Sequence, residues 1–154
     1  MKKQATTLPL VSEISLSYYP KVKSSEMKMI RTSKDAYDIF MESWDKGLIE
    51  FLEEFKVLLL KRNQKVIGLY PVSLGGVSGT VVDAKVIFVA ALLSHASTII
   101  LCHNHPSGNL QPSEPDIRIT RQLKEAGKVL NIDVLDHLIV SSEGYFSFGD
   151  EGLL

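Results

Sequence analysis

The stretch IILCHNHPSGNLQPSEPD, residues 99–116, decides how the rest of the chain is read. From Thr98 to Leu101 the chain is apolar and β-branched, with the length of a buried strand. The run ends in His103-Asn104-His105. Side chains alternate between faces on an extended backbone, so two histidines separated by one residue leave the same face. Pro106 and Gly108 then break the strand and open a loop. Ser113-Glu114-Pro115-Asp116 closes that loop with a helix start, Ser113 as N-cap, Pro115 in the first turn and Asp116 at the third helical position. A strand end thus supplies two nitrogen ligands, and a helix N-terminus returns a carboxylate toward them. His103, His105 and Asp116 read as a metal site with one coordination position left free, as in a catalytic rather than a structural zinc.

The flanking sequence builds a scaffold around this centre. Upstream, residues 55–60 read as a buried strand, 61–65 as a polar turn and 66–72 as the second arm of a hairpin. Residues 75–79, Gly-Gly-Val-Ser-Gly, have the spacing of neither a Walker loop nor a dinucleotide fingerprint and read as a mobile rim. Asp83 caps a helix running to about Leu93, with Val86, Val89, Ala90 and Leu93 expected inward. Further back, Thr32-Ser33-Lys34-Asp35 opens a helix whose apolar residues Tyr37, Phe40, Met41 and Trp44 share one face. Residues 11–19 alternate well enough to predict a half-buried strand, residues 20–28 read as a connector, and residues 1–7 as a frayed polar terminus. Downstream, the helix from Ser113 is expected to pack Ile117, Thr120 and Leu123 until Gly127 stops it. Strand segments follow near Val134, at 138–140 and at 145–148. The order β-α-β-β-α-β-α-β-β predicts an α/β fold with a mixed sheet sandwiched by helices.

Composition bounds the function. With 154 residues, 45% hydrophobic and 23% charged, the chain has a globular profile. A formal net charge of −1 gives no support to a long basic nucleic-acid groove. Cys102 is the only cysteine, which excludes an internal disulfide and a cysteine-based zinc knot and fits a reducing cytoplasm. No run approaches the roughly 18 apolar residues of a membrane span, so no membrane association is expected. Lys21, Lys23, Lys28 and Arg31 form a loose basic group, read as a solvated linker in preference to a nucleic-acid arm.

A zinc-bound water has its pKa lowered from about 15.7 to roughly 7, and it still needs a proton acceptor. Glu53 and Glu54, at the entrance of the strand at 55–60, lie on opposite faces, so at most one can serve. Ser113 could turn its hydroxyl to the backbone as a cap or to a tetrahedral oxyanion. His137, beside Asp136, reads either as part of a pair that supports the ligands or as a structural histidine, and His95 as a solvated cation at a helix end. Cys102 should face away from the imidazoles as a buried thiol.

An upstream glutamate, His103-Asn-His-Pro106 and Ser113-Glu-Pro-Asp116 together resemble the JAMM (MPN-type) metalloprotease superfamily in its RadC-like branch. The resemblance covers residues 48–154, including Gly75-Gly76 and Leu135-Asp136-His137. It implies a JAMM/MPN, cytidine-deaminase-like architecture and one zinc per chain, held by His103, His105 and Asp116. It also implies a glutamate general base and a Ser113 that orients the tetrahedral intermediate. RadC-like sequences place the glutamate two residues before the Phe, which selects Glu53; other branches would select Glu54. The resulting expectation is a hydrolase domain over 48–154, with an extension over 1–47 (strand, linker and helix) packing on it. The expected function is a zinc-dependent metallopeptidase or isopeptidase acting on a peptide or protein. The alternative is a DNA-repair-associated accessory or DNA-binding protein of the RadC type. The helix-hairpin-helix module of longer relatives is not expected in residues 1–47. A third reading is an inactive module that holds an extended peptide in the same groove.

Overall fold

The computed structural model describes residues 10–12, 14–15, 17–75 and 81–154. Their helices are α1 (Ser33–Ser43), α2 (Ala84–Leu93) and α3 (Glu114–Leu130), and their strands are β1 (Glu54–Leu60), β2 (Val66–Leu74), β3 (Thr98–Asn104), β4 (Asp133–Val140) and β5 (Tyr145–Ser147). The strands form one sheet in the order β2-β1-β3-β4-β5. β3 is antiparallel to β1 and parallel to β4, and the outer pairs are antiparallel, so the sheet is mixed. Parallel neighbours need a crossover connection, which α3 supplies between β3 and β4.

Period-two alternation assigns the two faces. Phe55, Val57 and Leu59 of β1, with Ile99 and Leu101 of β3, meet Ile87, Phe88 and Ala91 of α2 and Leu123 of α3. Their neighbours Leu58, Leu60, Ile100 and Cys102, with Leu138 and Val140 of β4, meet Ala36, Phe40 and Trp44 on the opposite side. The architecture is the expected sandwich, with α2 and α3 on one face and α1 on the other. Cys102 is buried on the α1 face, away from the imidazoles, as its position in the alternation requires.

The helix ends follow capping chemistry. Thr32 accepts from the Asp35 amide while the Asp35 carboxylate accepts from the amides of Thr32 and Arg31, a capping box at the start of α1. Ser113 and Asp116 form a second box at the start of α3. That helix does not stop at Gly127. It runs to Leu130 and ends at Asn131, whose φ of 54° is the left-handed conformation that asparagine tolerates. A Cβ on Gly127 would lie 2.3 Å from the carbonyl oxygen of Ile132, so the glycine permits a close backbone return instead of ending the helix.

Two further expectations are corrected. The described residues of 11–19 are exposed and irregular, and none of them pairs with a sheet edge; Glu13 and Leu16 lie outside the described residues. An alternating pattern makes a strand only where a ladder receives it. In α2 the bounds hold, but the inward residues are Ile87, Phe88 and Ala91, while Val89 and Leu93 are exposed. All of α2 except Lys85 is apolar, so periodicity carries no contrast from which to choose a face. The frayed terminus at 1–7 and most of the glycine-rich loop, residues 76–79, also lie outside the described residues. Among those described, no helix is long and apolar enough to cross a membrane.

Candidate metal centre

β3 lies between two hydrogen-bonded neighbours, and its C-terminal end carries the first two candidate ligands. His103 is opposite Phe55 of β1, and their rings stack with centroids 5.9 Å apart. The His105 amide donates to the Val140 carbonyl, prolonging the parallel ladder by one residue. The chain then turns, with the Gly108 amide donating to the His105 carbonyl and Gly108 at a φ of 79°. Beyond the loop, the α3 capping box presents Asp116. Its Oδ2 accepts from the backbone amide and the hydroxyl of Ser113, each at 2.7 Å.

The three side chains converge. His103 Nε2 and His105 Nε2 are 3.0 Å apart, His103 Nε2 is 3.2 Å from Asp116 Oδ1, and His105 Nε2 is 3.5 Å from Asp116 Oδ2. Atoms bound tetrahedrally at zinc's 2.0–2.1 Å would sit about 3.3 Å from one another. The donor set therefore fits, and His103, His105 and Asp116 could hold a small divalent ion. Burial alone would raise the pKa of Asp116, but the imidazoles of His103 and His105 at its oxygens outweigh it and hold the carboxyl well below the usual carboxylate range. The same contact with Asp116 raises His105 above the ordinary histidine value, with burial opposing.

Glu53 and Glu54 are separated by the alternation of β1. Glu53 lines the same cleft as the three candidate ligands, a cavity of about 600 Å³ walled also by Phe55, Val82 and Ile119. Glu54 points to the α1 face, its Oε2 3.2 Å from the Lys56 ammonium, which lies over the Trp44 ring and donates to the Ser43 carbonyl. Ser113 also lines the cleft, with its hydroxyl engaged by Asp116.

Near the centre, Asn104 went unread in the sequence, and His137 was left between two readings. Asn104 accepts from the Glu54 amide and donates to the carbonyls of Ile49 and Leu52, which ties the turn before β1 to the end of β3. His137 is wholly buried, with Nε2 2.8 Å from His103 Nδ1 and Nδ1 2.6 Å from the Thr120 hydroxyl. Burial holds its pKa well below the ordinary histidine value. The His137 ring does not pair with the carboxylate of Asp136. That carboxylate accepts instead from the His137 and Gly149 amides and the Ser147 hydroxyl. The available signal was the parity of β4, which places residue 137 on the same face as the ligands.

Comparison with known proteins agrees with this architecture. A UPF0758 protein of Flavobacterium johnsoniae is 45% identical over 130 residues, covering 83% of this chain and 55% of the relative. Another from Clostridium acetobutylicum is 38% identical over 135 residues, 86% of this chain and 56% of the relative. One from Porphyromonas gingivalis is 48% identical over 103 residues, 66% and 45% respectively. The chain spans about half the length of these curated relatives. Residues 30–153, which take in α1 and every strand of the sheet, match the family described as the RadC-like JAB domain, and the chain belongs to that family.

Proposed function

We propose that the chain is a zinc-dependent hydrolase, a metallopeptidase or isopeptidase that cleaves an amide bond with a metal-activated water. One observation carries the reading. Two imidazole nitrogens and a carboxylate converge within 4.8 Å of one another, in a cleft that Glu53 also lines. Zinc held by His103, His105 and Asp116 would supply Lewis acidity and a water ionisable near neutral pH. Glu53, on the cleft side of β1, is assigned to take the proton from the attacking water and return it to the leaving amine, a role worth about 10²–10⁴ in rate. Ser113 is assigned to orient the tetrahedral intermediate from the rim of the cleft. The cleft is large enough for a peptide side chain and its backbone, which favours a peptide or protein substrate.

The experiment is metal analysis joined to turnover of a peptide and isopeptide library. About one zinc per chain is expected in the parent protein, lost in His105→Ala and Asp116→Ala. Glu53→Gln should retain the metal and lose turnover. A parent chain that takes up no zinc would refute the reading, and an active Glu53→Gln would refute the assigned base.

A DNA-associated role is the second reading. Lys61 and Lys65 of the β1–β2 turn both bond Ser24, which gathers them with the exposed Lys21, Lys23 and Arg62 at the far end of β1 from the cleft. Binding to duplex DNA that weakens steeply with salt would support it, and no binding at low salt would remove it.

A further inference from the structure

His137 takes no part in the chemistry above, yet it is wholly buried and touches the centre at His103. Proton positions along this chain follow from what each atom can do. The Asp116 carbonyl can only accept, so the Thr120 hydroxyl commits its one proton there, across 2.6 Å. Toward His137 Nδ1 the hydroxyl then offers only a lone pair, and His137 must carry a proton on Nδ1. The His137 ring lies between Phe148, stacked at 4.9 Å, and Phe55 at 5.5 Å, and its two nitrogens face only a hydroxyl and an imidazole, so one proton serves the ring. Its Nε2 is therefore bare and accepts the Nδ1 proton of His103. What remains on His103 is an unprotonated Nε2, aimed at His105 Nε2 and Asp116 Oδ1.

We propose that Thr120 and His137 are positioning residues forming a relay that fixes the tautomer of His103, keeping its Nε2 free to bind a divalent cation. The inference rests on the metal reading of this site. The second imidazole is set in the same way by a backbone group, since His105 Nδ1 donates to the Asn109 carbonyl at 2.5 Å. The relay also joins two ligands mechanically. Thr120 is bonded to the backbone of Asp116, so the side chain that sets His103 is anchored to the α3 turn that presents the carboxylate.

The test uses the full chain, first without metal. Long-range proton–nitrogen spectra should show His103 and His137 each protonated on Nδ1 and bare on Nε2. Zinc affinity, measured by competition with a chromophoric chelator, is then compared with Thr120→Val and Thr120→Ser. Valine keeps the shape and removes the oxygen, so it should weaken zinc about tenfold or more while serine stays within about threefold of the parent, as for other groups that orient metal ligands. A proton on His103 Nε2 in the parent spectrum, or equal zinc affinity in the two variants, overturns the proposal. Should the valine variant fail to fold, the parent spectrum decides alone. Expected tautomers in a parent that binds no zinc would support the relay and overturn the hydrolase reading, so the two failures are told apart.

Discussion

At the scale of single residues, Gly127 shows a constraint that composition hides. Alanine is the better helix former by about 1 kcal/mol, yet its methyl would meet the Ile132 carbonyl at 2.3 Å. Overpacking of this kind costs about 1–3 kcal/mol, so Gly127→Ala should lower stability, read as a lower midpoint in urea unfolding. The sequence misleads here because a late glycine is a common helix stop, and nothing local reveals the returning backbone. His103 and His105 are legible for the opposite reason, since their shared face is fixed by strand parity alone. Asp116 is legible because its three-residue spacing from Ser113 is a cap. Choosing between Glu53 and Glu54 needs the two faces of β1 to be told apart, and the buried Lys56 that engages Glu54 marks one of them. His137 was left between two readings because the partners that decide it, Thr120 and His103, come from α3 and β3.

At the scale of elements, the end of β3 governs the start of β1. Asn104 alone satisfies one amide and two carbonyls of the segment that delivers Glu53. Asn104→Ala leaves those groups, of which the Ile49 carbonyl is buried, without this partner, which should cost about 1–3 kcal/mol in chemical denaturation. Zinc uptake should persist, because the three ligands sit on other bonds. Loss of zinc in that variant would mean that the turn before β1 also shapes the metal centre. β1, β2 and α1 were readable close to their observed bounds, and α3 at its capped start though not at its end. The uniformly apolar α2 gave its length but not its face, and the segment at 11–19 gave a rhythm without a sheet edge to receive it.

At the scale of the whole molecule, metal, protons and folding are linked. In the metal-free chain His105 is raised above its usual pKa by Asp116. A raised folded value means that the protonated pair stabilises the fold fully below the unfolded histidine value, and that this stability is lost as pH rises through the folded value. A cation competes for the same nitrogen. Zinc affinity should therefore fall as pH drops through the raised His105 value, beginning above the roughly 6.5 of an unperturbed histidine. Zinc titrations at a series of pH values check this, and an affinity independent of pH contradicts it. Removing zinc by chelation should also lower the melting temperature, since a ligand at a hundred times its Kd stabilises by about 2.7 kcal/mol. One feature of the sheet makes such coupling observable without touching the ligands. Cys102 adjoins His103 in the chain but lies under α1, its thiol pushed up in pKa by burial and far less reactive than an exposed one. Disulfide-exchange labelling of that lone sulfur is thus a clock for the undocking of α1. If zinc slows the clock, the ion braces the layer on the other side of the sheet as well as its own.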